Sequence, residues 1–169
     1  MHGDNEGHII DLCAGIGVLA GNLFEHNPDC RITCVDIVPE FIDLGKKIVP
    51  EAEWILMDCY GPEFLARYQK AFSSGISNPP YGKGNGCVKE LRAIEVLSDI
   101  TELGGTMVLP AKGGKYGQWD NECAKPYDDH IKKTRPGWTV QRTSCDLTDI
   151  SFKETGIKVQ MYELMPENY

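Results

Sequence analysis

The chain contains no apolar run near the roughly 20 residues that a membrane-spanning helix requires. Its N-terminus, Met1-His2-Gly3-Asp4-Asn5-Glu6, lacks both the basic region and the apolar core of a secretory signal, which implies a cytoplasmic protein. Seven cysteines, at 13, 30, 34, 59, 87, 123 and 145, include no CxxC pair. An odd count without such pairs speaks against a zinc module and a disulfide framework, and implies a reducing compartment with no structural metal. Positive charge is also short. Lys and Arg total 17 against 25 Asp and Glu, a net of −8, which excludes a uniformly basic nucleic-acid-binding surface. The deficit is uneven: residues 1–82 carry 5 basic and 12 acidic side chains, whereas 111–143 carry 7 basic and 4 acidic. A basic patch therefore lies in the second half. No linker, repeat or low-complexity stretch divides the 169 residues, so a single catalytic-size domain is expected over 1–169.

What is present is an alternation of short apolar runs and amphipathic stretches, the pattern of a mostly parallel sheet covered by helices. His8-Ile9-Ile10-Asp11-Leu12 reads as a first strand, broken at Gly15 and Gly17, with Leu19, Leu23 and Phe24 following at helical spacing. Ile32-Thr33-Cys34-Val35-Asp36 reads as a second strand. Pro39, suited to a first helical turn, then opens a helix carrying Phe41, Leu44 and Ile48. Trp54-Ile55-Leu56-Met57-Asp58 is a third strand, and Pro62 opens a helix with Phe64, Leu65, Tyr68 and Phe72 on one stripe. A fourth strand over 73–77 is weak in propensity because of Ser74-Gly75. A helix over 88–101 and a strand over 106–109 complete a further unit. Residues 111–137 read as irregular with a short helix near 127–133, and two strands, 138–145 and 158–164, can pair as an antiparallel edge. Trp54 and Trp138 read as core residues.

The first chemical signal is Gly15-Ile16-Gly17-Val18-Leu19-Ala20, a G-x-G-x-x-[G/A] turn with Asp36 placed 19 residues beyond Gly17. Such glycines let backbone approach a ligand, and a carboxylate at the next strand end can accept from ribose hydroxyls. Dinucleotide-binding and methyl-donor folds share this logic. Asp11 favours the methyl donor: a carboxylate at the first strand end repels a pyrophosphate and attracts the ammonium and sulfonium of S-adenosylmethionine. Asp58 can accept from the adenine amino group while the Cys59 N–H faces the ring. Cys13 and Ile37, next to these acids, complete the expected cofactor shell. Cys13 and Cys59 also read as small buried hydrophobes.

The second signal is Ile76-Ser77-Asn78-Pro79-Pro80-Tyr81-Gly82, after the fourth strand. Two prolines remove two N–H donors and stiffen the backbone, leaving the Asn78 side-chain oxygen and the Pro79 carbonyl as paired acceptors. A conjugated or amide nitrogen is a poor nucleophile because its lone pair is delocalised. Two acceptors on its hydrogens favour pyramidal geometry and turn the lone pair toward a methyl group. Tyr81 can stack on a planar substrate, a contact worth about 1–3 kcal/mol for a base.

With these motifs in order, the chain resembles the class I S-adenosylmethionine-dependent methyltransferases over about residues 8–110, and among them the [N/D]-P-P-[Y/F] amino-methyltransferases. The resemblance implies a Rossmann-like, mostly parallel seven-stranded sheet ending in an antiparallel hairpin. It places Asp11, Gly15 and Gly17 on the family's first motif and Asp36 on its ribose-binding acid. Asp58 falls on the adenine-contacting acid, and Asn78, Pro79, Pro80 and Tyr81 on the catalytic loop, with Asn78 also beside the cofactor. Adenine N6 in DNA or RNA is the leading acceptor. A release-factor glutamine suits the same loop, and a non-catalytic domain that binds cofactor or partner is a third reading.

The sequence departs from the family in three places. Only seven residues precede the first strand, so the usual N-terminal helix is expected to be absent or supplied differently. No target-recognition domain is evident, and the fourth strand is unusually polar. A protein partner or a second copy of the chain would then supply recognition. Nucleic-acid contact is expected from Lys112-Gly113-Gly114-Lys115-Tyr116-Gly117-Gln118-Trp119, with Lys83, Lys89, Lys132, Lys133 and Arg135, since cations interleaved with aromatics suit phosphates and unstacked bases.

Overall fold

The computed structural model describes residues 7–84, 87–111, 124–145 and 159–168, without the side chains of residues 83, 84 and 87. In chain order the elements are β1 (His8–Leu12), α1 (Val18–His26), β2 (Arg31–Asp36), α2 (Pro39–Ile48), β3 (Glu53–Leu56), α3 (Pro62–Tyr68) and β4 (Ser74–Ser77). They continue with β5 (Lys83–Gly84), β6 (Cys87–Val88), α4 (Lys89–Ile100), β7 (Gly105–Pro110), α5 (Lys125–Thr134), β8 (Trp138–Arg142) and β9 (Val159–Pro166).

Seven strands form one sheet in the order β3-β2-β1-β4-β7-β9-β8. The first five are mutually parallel; β9 runs antiparallel to both β7 and β8. This is the α/β sheet expected from the alternating pattern and the family resemblance. The chain starts in the middle, steps outward from β1 through β2 to β3, then returns to β4 on the other side of β1. The carboxyl ends of β1 and β4 therefore flank the switch point where open α/β sheets hold ligands. β5 and β6 form a separate two-stranded ribbon directly after the proline-rich loop, which the sequence did not suggest.

Two apolar layers hold the sheet. On one side Ala20, Leu23 and Phe24 of α1 pack with Ile32, Cys34, Val49 and Trp54. On the other, the larger cluster joins Ile10, Leu12 and Val35 to Phe64, Ile94, Leu97, Tyr127, Ile131 and Tyr162. Each fully buried side chain of this size contributes about 1.5–3 kcal/mol. Arg135, at the end of α5, clamps Asp99 of α4 through Nε and Nη2 at 2.6 and 2.8 Å.

Several elements differ from expectation for identifiable reasons. β3 ends at Leu56, because after the Met57 N–H bonds the Asp36 carbonyl the Asp58 carboxylate accepts from the Tyr60 N–H at 2.9 Å and turns the chain. β4 forms despite its polarity: it is central, paired with both β1 and β7, and Gly75 is required because a Cβ there would meet Leu97 at 2.5 Å. Phe41, Leu44 and Ile48 of α2 are not the buried stripe but are 43%, 44% and 52% exposed. The helix instead buries Ile42 and Gly45, where the ring of Trp54 lies against the glycine. Phe72 lies beyond α3, bridging to Thr101. The two last strands do pair, but β9 sits inside, against β7, so of the two β8 alone is an edge. Trp54 and Trp138 each pack half-buried against a core cluster, with Lys70 Nζ 4.5 Å above the Trp138 ring. The stretch 112–119 lies outside the described residues.

Candidate active site

A cavity of about 730 Å³ opens above the carboxyl ends of the parallel strands, walled by Cys13, Gly15, Asp36, Ile37, Asp58 and Cys59 among others. Its volume suits a nucleoside-sized ligand. The first wall is the turn between β1 and α1. Cys13, Gly15 and Gly17 all adopt positive φ, at 60°, 56° and 86°. A Cβ on Gly15 would meet nothing within 4 Å, so its backbone faces open space, whereas one on Gly17 would strike the Trp54 ring at 2.9 Å. Gly15 thus leaves the approach clear, and Gly17 seats α1 on the sheet.

Asp36 ends β2 and forms the second wall. Its carboxylate accepts from the Gly15 N–H at 2.8 Å and the Val38 N–H at 3.0 Å. Each oxygen retains a further lone pair on the cavity side, which can accept a ribose hydroxyl. Asp58, exposed at the rim beyond β3, is fixed by the Tyr60 N–H and lies where an amino group could reach it.

Asp11 stands behind the turn and not in the cavity wall. It is 1% exposed, and one oxygen accepts from the Ala20 N–H in the first turn of α1 at 3.2 Å. The other, Oδ1, has no hydrogen-bond partner. Burial foremost, with the nearby Asp36 charge, pushes its pKa up to about 7, against the Ala20 bond that lowers it. A buried, half-satisfied carboxyl beneath the turn is a receptor for positive charge. With the two rim carboxylates it fits the cationic S-adenosylmethionine better than a pyrophosphate.

Cys13 and Cys59 meet across the cavity wall, sulfur to sulfur at 3.6 Å, and the Tyr60 hydroxyl lies 3.5 Å from Cys13 Sγ. The Cys59 hydrogen bond holds the Cys13 thiol below its ordinary pKa, while that same bond and burial raise Cys59 well above it.

The proline-rich loop follows β4, whose last residue is tied down by the Ser77 hydroxyl donating to the Leu12 carbonyl at 2.6 Å. Asn78 and Pro80 are exposed, Pro79 is buried and Tyr81 half-buried. Tyr81 Oη lies 2.7 Å from Asn78 Oδ1 and 3.1 Å from the Val108 carbonyl, in donor geometry to both. The Asn78 oxygen is therefore already oriented, by a residue expected only to stack. Burial, chiefly, raises the Tyr81 phenol, which stays protonated as a donor. The Pro79 carbonyl accepts from no described residue. Of the loop, Pro80 lines the cavity; Asn78, Pro79 and Tyr81 are not among its wall residues.

Sequence reasoning missed several wall residues. Val38 and Phe41 follow Asp36 closely and Tyr60 follows Cys59, but nothing in their spacing marked them. Arg92 too is unmarked in the sequence; Lys89, one turn before it on α4 and among the cations expected to contact nucleic acid, lines the cavity with it. Arg92 is engaged by Glu95 at 2.8 Å; Lys89 has no ion-pair partner among the described residues. Glu90, buried beside them, accepts from the Gly82 N–H at 2.9 Å and anchors the far end of the proline-rich loop. Lys132 pairs with Asp128 and Arg135 with Asp99, so the latter cation is committed to structure.

Comparison with known proteins bears on the family and the fold. Ribosomal RNA small subunit methyltransferase C from Shewanella amazonensis is 28% identical over 128 residues, 76% of this chain but 35% of its own length. Release factor glutamine methyltransferase from Mycolicibacterium smegmatis is 32% identical over 75 residues, 43% of this chain and 27% of its own. The chain thus spans a minor part of these relatives. A Pyrococcus horikoshii protein assigned as an RNA methyltransferase superposes with TM-score 0.67 at 15% identity, over 95% of this chain and 72% of its own. The plantazolicin methyltransferase BpumL, solved with S-adenosylhomocysteine, superposes with TM-score 0.62 at 12% identity, over 94% and 75% of the two chains. At such identities the superpositions speak for the fold alone. The family match carries more: the chain belongs to the methyltransferase small domain family, whose profile covers residues 1–108.

Proposed function

We propose that the chain is the catalytic domain of an S-adenosylmethionine-dependent N-methyltransferase whose acceptor is the exocyclic amine of a nucleobase in DNA or RNA, adenine N6 foremost. The observation that carries this reading is the loop Asn78–Tyr81 beside the cavity, with one acceptor held in place and one unengaged. The cofactor would supply an electrophilic methyl on sulfur. Asp36 would hold its ribose, Asp58 its adenine, and Asp11 would balance its positive charge from beneath the turn. Asn78 Oδ1 and the Pro79 carbonyl would accept from the two amine hydrogens and turn the lone pair toward the methyl group. Through its hydroxyl, Tyr81 would keep the asparagine amide from rotating away. The lost amine proton would leave to solvent past the exposed Asn78.

Lys89 supports a polyanionic acceptor, being a half-buried cation in the cavity wall with no ion-pair partner among the described residues. The matching ribosomal RNA methyltransferase points the same way. The second reading, a protein glutamine as acceptor, draws on the release factor methyltransferase match and on the same pair of acceptors. In either case the whole chain would act as one catalytic unit, with recognition shared by a partner protein or a second copy.

The test is transfer of a tritiated methyl group from S-adenosylmethionine to DNA, RNA and protein fractions of the host. Nucleosides from the labelled fraction are then separated. Label in an N-methylated nucleoside supports the leading reading, label in protein favours glutamine, and silence with intact cofactor binding would leave a binding domain. Asn78→Ala should abolish transfer and leave S-adenosylhomocysteine affinity within about twofold, since the amide grips the acceptor. Collapse of cofactor affinity instead would remove Asn78 from that role.

A further inference from the structure

The sulfur contact in the cavity wall has no role in methyl transfer. Cys13 and Cys59 come from separate elements, the turn after β1 and the loop after β3, and both line the cavity. Their sulfurs lie 3.6 Å apart, and no other pair of described cysteines comes into contact. A disulfide needs about 2.05 Å, a closure that two loops flanking an open cavity can absorb.

We propose that Cys13 and Cys59 form an oxidisable dithiol site that closes to a disulfide in the cofactor-free chain and, once closed, weakens cofactor binding. Either thiol can donate across this contact; with Cys59 as donor the Cys13 thiolate is favoured, which makes Cys13 the nucleophile. With a peroxide as oxidant, Cys13 sulfur attacks one oxygen, the O–O bond breaks and hydroxide leaves, giving the sulfenic acid. Cys59 sulfur then displaces the hydroxyl, which leaves as water with the Cys59 proton. The hydroxide takes the proton originally on Cys13. Two thiols lose two electrons, and one peroxide becomes two waters. The new bond draws the glycine turn toward the loop after β3 across the wall. Gly15, whose N–H positions the Asp36 carboxylate, lies two residues from the bridge. Bound cofactor would occupy the same space and bar the peroxide, so the two events oppose each other.

The experiment treats the whole chain with hydrogen peroxide, alkylates the remaining thiols and maps peptides by mass, with S-adenosylhomocysteine affinity measured by calorimetry. The expected product lacks two hydrogens and joins the Cys13 and Cys59 peptides. Affinity should drop about tenfold or more, within the usual span of coupled sites, and return after dithiothreitol. Saturating S-adenosylhomocysteine added first should slow the cross-link by a similar factor. In Cys59→Ser, Cys13 should gain oxygen without a cross-link. A bridge to another cysteine, no bridge under excess peroxide, or a Cys13–Cys59 bridge that leaves affinity unchanged would each overturn the proposal. Failure of the reduced chain to bind S-adenosylhomocysteine would instead count against the cofactor cavity itself.

Discussion

Asp11→Asn isolates the charge beneath the glycine turn. Burial pushes its pKa up to about 7 in the folded chain, from an ordinary value near 3.8. At about 1.4 kcal/mol for each pKa unit, keeping it ionised in the fold costs about 4 kcal/mol. The sign follows from proton counting. Between about pH 4 and 7 the folded chain holds a proton that the unfolded chain has lost, so stability falls as pH rises through that window. Below pH 4 both states are protonated and the cost vanishes; above pH 7 it is complete. Asparagine keeps an acceptor for the Ala20 N–H and carries no charge. Urea unfolding should therefore show the variant more stable than wild type at pH 8, by up to about 4 kcal/mol, and nearly equal to it at pH 4. Cofactor binding should reverse the order, because the ligand's ammonium favours the ionised carboxyl. Wild type should release about half a proton on binding S-adenosylhomocysteine at pH 7, seen as a calorimetric heat that varies with buffer ionisation enthalpy. The variant should bind more weakly and release none. A variant less stable than wild type at pH 8, or proton release that survives the substitution, would refute the assignment of this charge.

Gly45→Ala pits propensity against packing: the helix gains about 1 kcal/mol from alanine, but the added Cβ would run into the Trp54 ring at Cη2. Overpacking costs about 1–3 kcal/mol, so urea unfolding should show net destabilisation with a changed Trp fluorescence. Tyr81→Phe removes the hydroxyl that orients Asn78; kcat should fall about 10- to 100-fold, as expected when a positioning contact is lost, with S-adenosylhomocysteine affinity preserved. Glu90→Ala removes the acceptor for the Gly82 N–H, a charged hydrogen bond worth about 1.5–3 kcal/mol. Methyl transfer should slow about tenfold or more, whereas Glu90→Gln, which keeps an acceptor, should remain near wild type.

The sheet was legible because strand and helix periods differ and the glycine and proline breaks fall between them. What the periods could not show is which apolar stripe a helix buries. In α2, Phe41, Leu44 and Ile48 have the spacing of a core face, yet the helix turns its Ile42–Gly45 side inward because a glycine lets the Trp54 ring approach. β4 misled in the opposite way: Ser74-Gly75 lowers strand propensity, but a central strand under Leu97 needs the missing side chain more than it needs propensity. Both cases are long-range contacts between residues well separated in sequence, which no local window contains.

The cofactor end of the site was more readable than the acceptor end for a related reason. The cavity lies over successive strand ends, which the sheet sets at fixed positions, so Asp36 at the end of β2 and Asp58 two residues beyond β3 both reach its wall. The acceptor side is assembled from one loop and a helix start. Glu90 and Lys89 matter there because α4 begins beside the loop, a fact of tertiary packing. The sulfur pair belongs to the same class: Cys13 and Cys59 are 46 residues apart and become a chemical unit only when β1 and β3 align. Asp11 shows the boundary between the two cases. Its position at a strand end could be read. Its placement behind the turn and its raised pKa could not, since both depend on how completely α1 and the sheet exclude water from one carboxyl oxygen.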